Sequence, residues 1–322
     1  MKIIEPTYEI LDRNNELPPE KKIESVGRLC YKSEDKITDT SAEPFVKGLI
    51  KRHHDAMLEH GVLMIGASEQ AYKDIRFLCD EYEDELQTPA FIRHTWCPET
   101  RRHVLSGNVR AWRNLIKFSS ALYCKYYFPI GFDTFLRAYP VVFGDLEPIT
   151  THSRYGNVYS MLPSDLSSKK EKLAHYPLTV KFTVDIAVAR ELCRHRLASH
   201  AGSSTRYCDY SKGKFGSEIT VIAPEETVDA EFVRAARYAE EKYMARRNEG
   251  KTPEIARSCL TLSTMCEHVM TATLGQWKDI FALRALDSTG KAHPQMKEVM
   301  MPLYQECVQM MPEVWSVDSK RD

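Results

Sequence analysis

Residues 178–193, LTVKFTVDIAVARELC, contain a strand followed directly by a helix. Apolar and polar residues alternate over the first seven positions, which predicts a strand with one buried face. Asp185 can cap the next helix, on which Ile186, Ala189 and Cys193 form an apolar stripe. A strand that leads into a helix in this way favours a fold in which helices cover a sheet.

The same interleaving of strands and helices continues on both sides of this stretch. MKIIEPTYEIL opens the chain as a strand, and GVLMIGA (61–67), EITVIA (218–223) and CEHVMTAT (266–273) read as further strands. Helical patterns lie between them, including a long amphipathic helix that Asp229 can cap. We therefore expect an α/β or α+β fold with a single main mixed sheet flanked by helices, in a single domain spanning residues 1–322.

The segment of about 70–176 is harder to assign. It contains helical stretches and an aromatic loop, FPIGFDTFLRAYPVVFG (128–144), and no linker separates it from its neighbours. We expect a helical and aromatic insertion packed on the main domain. Within it, NVRAWRNL (108–115) resembles TLGQWKDI (273–280) in spacing and residue type. One such match fits two unrelated amphipathic helices with a tryptophan, and it also fits an internal repeat.

Composition limits the classes of function. The chain has 322 residues, of which 43% are hydrophobic and 28% are charged, with a formal net charge of −1. A nucleic-acid partner is not expected, because phosphate-binding surfaces need a basic surplus. The nine cysteines form no CxxC pair, and no apolar run is long enough to cross a membrane. These features predict a cytoplasmic protein with reduced thiols, no membrane partner and no metal site.

Anion-binding side chains are concentrated in residues 194–207, RHRLASHAGSSTRY. The two arginines of the RHR triplet diverge by about 200° on a helix, so they are expected to contact different groups or different subunits. Arg206 and Ser204 lie two residues apart and can face one phosphate from an extended segment. The alternative is a solvated basic patch in which acids such as Glu191 and Asp209 pair with the arginines.

The RHR triplet, seven further residues and Ser204 resemble the signature of the flavin-dependent thymidylate synthases, and TRYCDYSKGKFG (205–216) resembles its continuation. Further blocks resemble the same family in the same order: GRLCYKSEDKIT (27–38), HDAMLEH (54–60), EIARSCL (254–260), QWKDIFALR (276–284) and AHPQM (292–296). The resemblance covers roughly residues 1–68 and 177–310. It leaves the insertion of about 70–176 outside.

The resemblance implies the fold of that family and a specific reaction. Its members methylate dUMP to dTMP, with methylenetetrahydrofolate as the carbon donor and reduced FAD as the hydride donor, and NADPH regenerates the reduced flavin. They are homotetramers whose sites lie between subunits. We therefore expect FAD as cofactor, small-molecule substrates and a homotetramer.

The resemblance also implies roles for individual side chains. Arg284 would face the uracil imide and promote its ionisation, which makes it the expected catalytic residue. The dUMP ligands would be Glu191, Ser204, Arg206, Arg257 and Arg284, and the FAD ligands would be His54, Glu59, Arg194, His195, Arg196 and Asp279. Between two arginines, His195 is expected to be neutral and to act through hydrogen bonds, because like charges disfavour the imidazolium.

The sequence departs from the family pattern at two places. Ala201-Gly202-Ser203 stands where members usually carry a glutamate and another polar residue. An Asn, Arg, Asn pattern that meets the flavin elsewhere reads Thr273, Gly275 and Asp279, whereas Asn108, Arg110 and Asn114 carry that pattern inside the insertion. Two alternatives therefore stay open. One is a flavin- and folate-dependent methylase or hydroxymethylase of another pyrimidine nucleotide, such as UMP, and the other is a non-catalytic nucleotide-binding homologue.

Overall fold

The computed structural model describes residues 1–123, 133–146, 158–213, 216–223 and 228–315. The strands in these ranges are β1 (Lys2–Ile4), β2 (Thr7–Leu11), β3 (Val62–Ala67), β4 (Arg93–Cys97), β5 (Arg102–Asn108), β6 (Val158–Met161), β7 (Pro177–Asp185), β8 (Ser199–Gly202), β9 (Thr220–Ile222) and β10 (Met265–Thr273). The helices are α1 (Pro19–Cys30), α2 (Ala42–Lys51), α3 (Glu69–Leu86), α4 (Val109–Tyr123), α5 (Asp133–Ala138), α6 (Pro140–Phe143), α7 (Lys169–His175), α8 (Ile186–Leu192), α9 (Ala230–Asn248), α10 (Pro253–Ala256), α11 (Leu274–Arg284), α12 (Pro294–Met310) and α13 (Pro312–Trp315). None of the helices described in those ranges is long and apolar enough to cross a membrane.

The strands form two four-stranded sheets and one small parallel pair. Sheet I has the order β6-β3-β5-β4, sheet II has the order β2-β7-β10-β8, and β1 pairs with β9. The predicted mixed α/β class is confirmed, but the expectation of a single main sheet is wrong. Part of the supposed helical insertion forms three of the four strands of sheet I, and its positions 124–132 and 147–157 lie outside the described residues. The two longer of these strands, β4 and β5, are rich in arginine and histidine, which weakens their alternating pattern in the sequence.

The quoted stretch folds as predicted except at its end. Strand β7 buries Leu178, Val180, Phe182 and Val184, and the carboxylate of Asp185 accepts a hydrogen bond from the Val188 backbone amide at 2.7 Å. Helix α8 ends at Leu192. Cys193 therefore lies beyond the helix and is exposed instead of joining the apolar stripe.

Sheets I and II have the same strand arrangement, except that edge strand β6 follows the other strands of sheet I in the chain and edge strand β2 precedes those of sheet II. All of their strand pairs are antiparallel, and in each sheet both central strands lead directly into a helix: β3 into α3 and β5 into α4, as β7 into α8 and β10 into α11. The register agrees, because Val62 pairs with Asn108 at the end of the central ladder of sheet I, as Pro177 pairs with Thr273 in sheet II. We call residues 60–123 the first repeat and residues 175–284 the second repeat.

Tertiary contacts recur at equivalent positions of the two repeats. The indole of Trp112 donates to the Leu63 carbonyl at 3.2 Å, and the indole of Trp277 donates to the Leu178 carbonyl at 3.0 Å. Each tryptophan is the fourth residue of its helix, and each carbonyl belongs to the second residue of its strand. The similarity of 108–115 to 273–280 therefore reflects an internal repeat.

The two repeats face each other through buried histidines. Nδ1 of His60 lies 2.8 Å from the Thr271 hydroxyl, and Nδ1 of His175 lies 2.7 Å from the Ser106 hydroxyl. His60 and Ser106 belong to the first repeat, and their partners occupy the equivalent positions of the second. This exchanged pair of hydrogen bonds links sheets I and II. The two sheets also share one apolar core, to which sheet I contributes Met64, Val104 and Met161, and a second core lies on the other face of sheet I.

Candidate functional site

The first cavity lies at the junction of the two repeats and has a volume of about 410 Å³. Equivalent positions of both repeats line it in pairs: Val62 and Pro177, Ala90 and Arg196, Phe91 and Leu197, Arg93 and Ser199, Asn108 and Thr273, and Ala111 and Gln276. The two repeats therefore contribute equivalent positions to the cavity, but the side chains at those positions differ in charge and polarity.

The charged side chains of the first cavity are three arginines and one glutamate, with a net charge of +2. Arg110 is ion-paired with Glu59 at 2.6 Å. Arg93 and Arg196 have no ion-pair partner among the residues that the structure describes. Burial lowers the pKa of the half-buried Arg93 guanidinium, and no anionic group offsets that effect. Such a cavity favours an anionic ligand.

The second cavity, of about 840 Å³, begins farther along β8. Ser199 lines the first cavity, whereas His200, Ala201 and Gly202 line the second. The segment after β8 supplies Ser204 to the second cavity, and the short helix α10 is followed there by Arg257.

Two of the predicted nucleotide-binding arginines lie at this second cavity. The guanidinium of Arg257 donates to the Thr205 hydroxyl at 3.2 Å. Arg206 is exposed and is paired at 2.8 Å with Glu254, which lines the cavity. A phosphate entering this cavity could take Arg206 from Glu254, because surface ion pairs contribute little free energy.

The predicted catalytic residue forms a separate cluster. The guanidinium of Arg284 contacts the Glu191 carboxylate at 2.9 Å and donates to Nε2 of His195 at 3.2 Å. Burial, together with the Arg284 charge, lowers the pKa of His195 to about 4. His195 is therefore neutral at pH 7, as the sequence predicted, and the RHR triplet connects this cluster to Arg196 in the first cavity.

Three predicted flavin ligands line neither cavity. His54 is exposed, with Nδ1 at 3.1 Å from the Tyr31 hydroxyl. Arg194 and Asp279 are also exposed. Of the residues predicted for FAD, Glu59 and Arg196 lie together in the first cavity, and His195 adjoins it in sequence.

Several cavity residues lie outside the predicted site. Arg110 and Asn114 line the first cavity, and the Asn, Arg, Asn pattern was their signal in the sequence. Asn108 lies beside them, and its amide oxygen accepts from the Ala111 backbone amide at 2.8 Å, so it caps α4. Arg93 had no local signal, because only the pairing of β4 with β5 brings it to the cavity.

The second repeat lacks this pattern for a steric reason. A Cβ at Gly275 would lie 2.8 Å from the Leu173 carbonyl oxygen, so α7 approaches α11 too closely for a side chain. Thr273 keeps only the capping role, with its hydroxyl 3.4 Å from the Gln276 amide. The departure at 275 thus follows from the packing of α7, and the threonine at 273 has no steric explanation in the structure.

Cys193, His200 and His268 place one potential metal-ligand atom each within 4.8 Å of one another at the second cavity. His200 donates from Nε2 to the His195 carbonyl at 3.0 Å, so its neutral ring accepts at Nδ1 from His268, also at 3.0 Å. An equivalent histidine pair, His94 and His103, is hydrogen-bonded at 2.8 Å in the first repeat. We interpret the histidine pair as part of the repeated fold.

Comparison with known proteins gives one family match. The family model described as thymidylate synthase complementing protein matches residues 167–313. No curated protein is significantly similar to the chain. Two crystal structures of the UMP/dUMP methylase PolB from Streptomyces cacaoi are similar in structure. The one bound with 5-Br dUMP has 14% identity and a TM-score of 0.41, covering 98% of this chain and 95% of that one. The one bound with 5-Br UMP has 13% identity and a TM-score of 0.41, with 98% and 94% covered.

Proposed function

We propose that the protein is a flavin-dependent thymidylate synthase, because residues 167–313 match the family model described as thymidylate synthase complementing protein. It would methylate dUMP to dTMP, taking the carbon from methylenetetrahydrofolate and regenerating its reduced FAD with NADPH. The observation that supports this most is that β8 contributes residues to two cavities that are both lined with arginine.

The first cavity fits a flavin dinucleotide. Its volume of about 410 Å³ lies within the range of cofactor sites, which is roughly 300–1,000 Å³. Arg93 and Arg196 offer guanidinium groups to a diphosphate, and the aromatic rings of Tyr82 and Phe91 offer faces to a planar ring. A reduced flavin bound there would supply the hydride. The chain's own side chains would hold and orient it.

The second cavity would hold the nucleotide. Ser204 and Arg257 line it, and Arg206 lies at its rim, so a phosphate dianion could meet a hydroxyl and two guanidinium groups. These three are among the five residues that the resemblance implies for dUMP, and the other two, Glu191 and Arg284, lie in the separate cluster. His200 and His268 add neutral rings to the same wall, since burial lowers the pKa of each.

Arg284 would act on the uracil of a neighbouring copy. Its cluster with Glu191 and His195 lines neither cavity of its own chain. A role at the uracil imide therefore requires a second chain, which agrees with the expected homotetramer and its sites between subunits. Because His195 is neutral, its Nε2 accepts a hydrogen bond from the Arg284 guanidinium and would hold it in position without electrostatic repulsion.

A second candidate substrate is UMP. The wall of the second cavity contains Ala201, Gly202 and Ser203, and the Ser203 hydroxyl accepts from the Glu267 backbone amide at 3.1 Å. This wall has no carboxylate at the positions where the family usually carries a glutamate, and its small side chains leave room for a ribose 2′-hydroxyl. A ribonucleotide such as UMP would therefore be accommodated in this cavity.

One experiment tests both candidates. The purified chain is incubated with FAD, NADPH and methylenetetrahydrofolate, with dUMP and UMP in parallel, and the product is identified by mass. A gain of one methyl group on dUMP supports the synthase, and the same gain on UMP supports the alternative. Two results contradict the proposal: nucleotide that is bound without any change of mass, or protein that retains no flavin absorbance once unbound FAD has been removed.

A further inference from the structure

The two halves of the first cavity have diverged in opposite directions. In one half, Arg110 and Asn114 of the first repeat lie with Glu59 opposite Arg196 of the second repeat. In the other half, the equivalent positions carry Gly275, Asp279 and Ala174 opposite Ala90. Each repeat has kept the charged groups that the other repeat lacks.

The second half also has no space for a side chain at position 275. The Leu173 carbonyl lies where a side chain at position 275 would begin, at 2.8 Å from its Cβ. Asp279 is exposed and does not line the cavity, and Ala90 is buried and small. An anionic ligand would find no guanidinium in this half other than that of Arg93, near the centre.

From this asymmetry we infer that each chain binds one anionic aromatic dinucleotide at the junction of its own two repeats, with Arg110 and Asn114 of the first repeat and Arg196 of the second as ligands. The inference rests on the proposed function for the identity of the cofactor, FAD. It assigns the ligands to residues of the insertion, and it excludes Asp279. The site needs two repeats that face each other, and in this protein both repeats would come from the same chain.

The reason for assigning Asn114 is its position one helical turn after Arg110 on the same face of α4. An amide there can donate to phosphate oxygens without adding a negative charge. The carboxylate at the equivalent position 279 would repel the same group. Arg110 is held near the cavity by Glu59 at 2.6 Å, which orients its guanidinium before a ligand arrives.

The test is a reciprocal pair of variants, Asn114→Asp and Asp279→Asn, compared with the unchanged chain by titration with FAD. We expect one FAD per chain. Asn114→Asp should weaken FAD binding by about 10-fold or more, because it replaces a donor with a repelling charge. Asp279→Asn should change FAD affinity by less than about twofold. Far-UV circular dichroism and urea unfolding check that both variants are folded.

Three outcomes would overturn the assignment: two FAD molecules per chain, equal weakening in both variants, or a folded Asn114→Asp variant with unchanged affinity. Failure of the unchanged chain to bind FAD would instead contradict the proposed function. Repeating the titration with Arg110→Ala gives an independent reading, for which we expect a loss of similar size. An unchanged affinity in Arg110→Ala would remove that residue from the site.

Discussion

The first and second repeats share their topology, their strand register and the contacts of their tryptophans, yet they differ in nearly every side chain that could bind a ligand. The second repeat has the RHR triplet and the wall of the second cavity. The first repeat has Arg110 and Asn114. The contacts that persist are the tryptophan hydrogen bonds to backbone carbonyls and the hydrogen bonds of buried histidines, which hold the fold together. The repeats therefore teach that fold and function are separately encoded here.

The largest expected effect is a loss of stability in acid, which concerns the buried histidines that the two repeats share. Burial lowers the pKa of His60 and His268 to about 3, and of His94, His175 and His195 to about 4. In the unfolded chain these groups titrate near pH ~6.5. Below that pH the unfolded state binds protons that the folded state does not, so the free energy of unfolding should fall as pH decreases from about 6.5 to about 4.

Urea unfolding at several pH values between 7.5 and 4.5 measures this effect. Since histidines of both repeats contribute, we expect one cooperative transition whose midpoint decreases with pH. A midpoint that stays constant from pH 7 to pH 5 would contradict the neutral state of these rings in the folded protein. Two separate transitions would show that the repeats unfold independently.

The next effect sharpens the functional difference between the repeats. Ser119 of the first repeat is equivalent to Arg284, so Arg284→Ser gives the second repeat the residue of the first. We expect kcat/KM for nucleotide methylation to fall by about 100-fold or more, as when a charge-stabilising donor is removed. The free energy of unfolding should change little, because Arg284 and Glu191 form a partly exposed ion pair.

Arg237→Ser, at an exposed position of α9, is the matched control and should keep full activity. Activity is read from the mass of the product nucleotide. If the folded Arg284→Ser variant turns over at the rate of the unchanged chain, the catalytic role of Arg284 is wrong.

The sequence predicted more of the second repeat than of the first, although it gave no indication of strand β8. In β7 the alternation of apolar residues and the capping Asp185 made the strand and helix predictable. In β4 and β5 the same kind of strand carries Arg93, which lines the cavity, and His103, which is hydrogen-bonded to Glu69, so no simple alternation of apolar and polar residues is visible. The match between 108–115 and 273–280 was not sufficient by itself to show an internal repeat. The equivalent strand registers of the two sheets were also needed.

The candidate site was predictable to a similar degree. Ser204, Arg257, Glu59 and Arg196 could be named from motifs, and they line the two cavities. Which residues face one another could not be named, because the pairing of equivalent positions across the junction is a tertiary property. Asp279 was assigned to FAD by position in a motif, whereas the structure leaves it exposed.

A smaller effect concerns the exchanged histidines. Nε2 of His175 lies 2.8 Å from the Thr95 hydroxyl in the first repeat, whereas Nε2 of His60 makes no hydrogen bond in the described part of the chain. Thr95→Ala would leave His175 in the condition of His60. We expect a loss of about 1–3 kcal/mol in the free energy of unfolding, measured with urea, because a buried polar atom loses its partner. Thr95→Ser keeps the hydroxyl and should recover most of that loss.

The smallest expected effect is the reverse exchange. Ala201 of the second repeat is equivalent to Thr95, which explains why Nε2 of His60 has no hydroxyl facing it. Ala201→Thr should provide one and stabilise the fold by about 0.5–1.5 kcal/mol relative to Ala201→Val, which has nearly the same shape and no hydroxyl. The comparison with valine removes the contribution of packing at this buried position. Equal stability of the two variants would show that the introduced hydroxyl does not reach Nε2 of His60. The side chains of His60 and His175 would then differ in position although their backbones are equivalent.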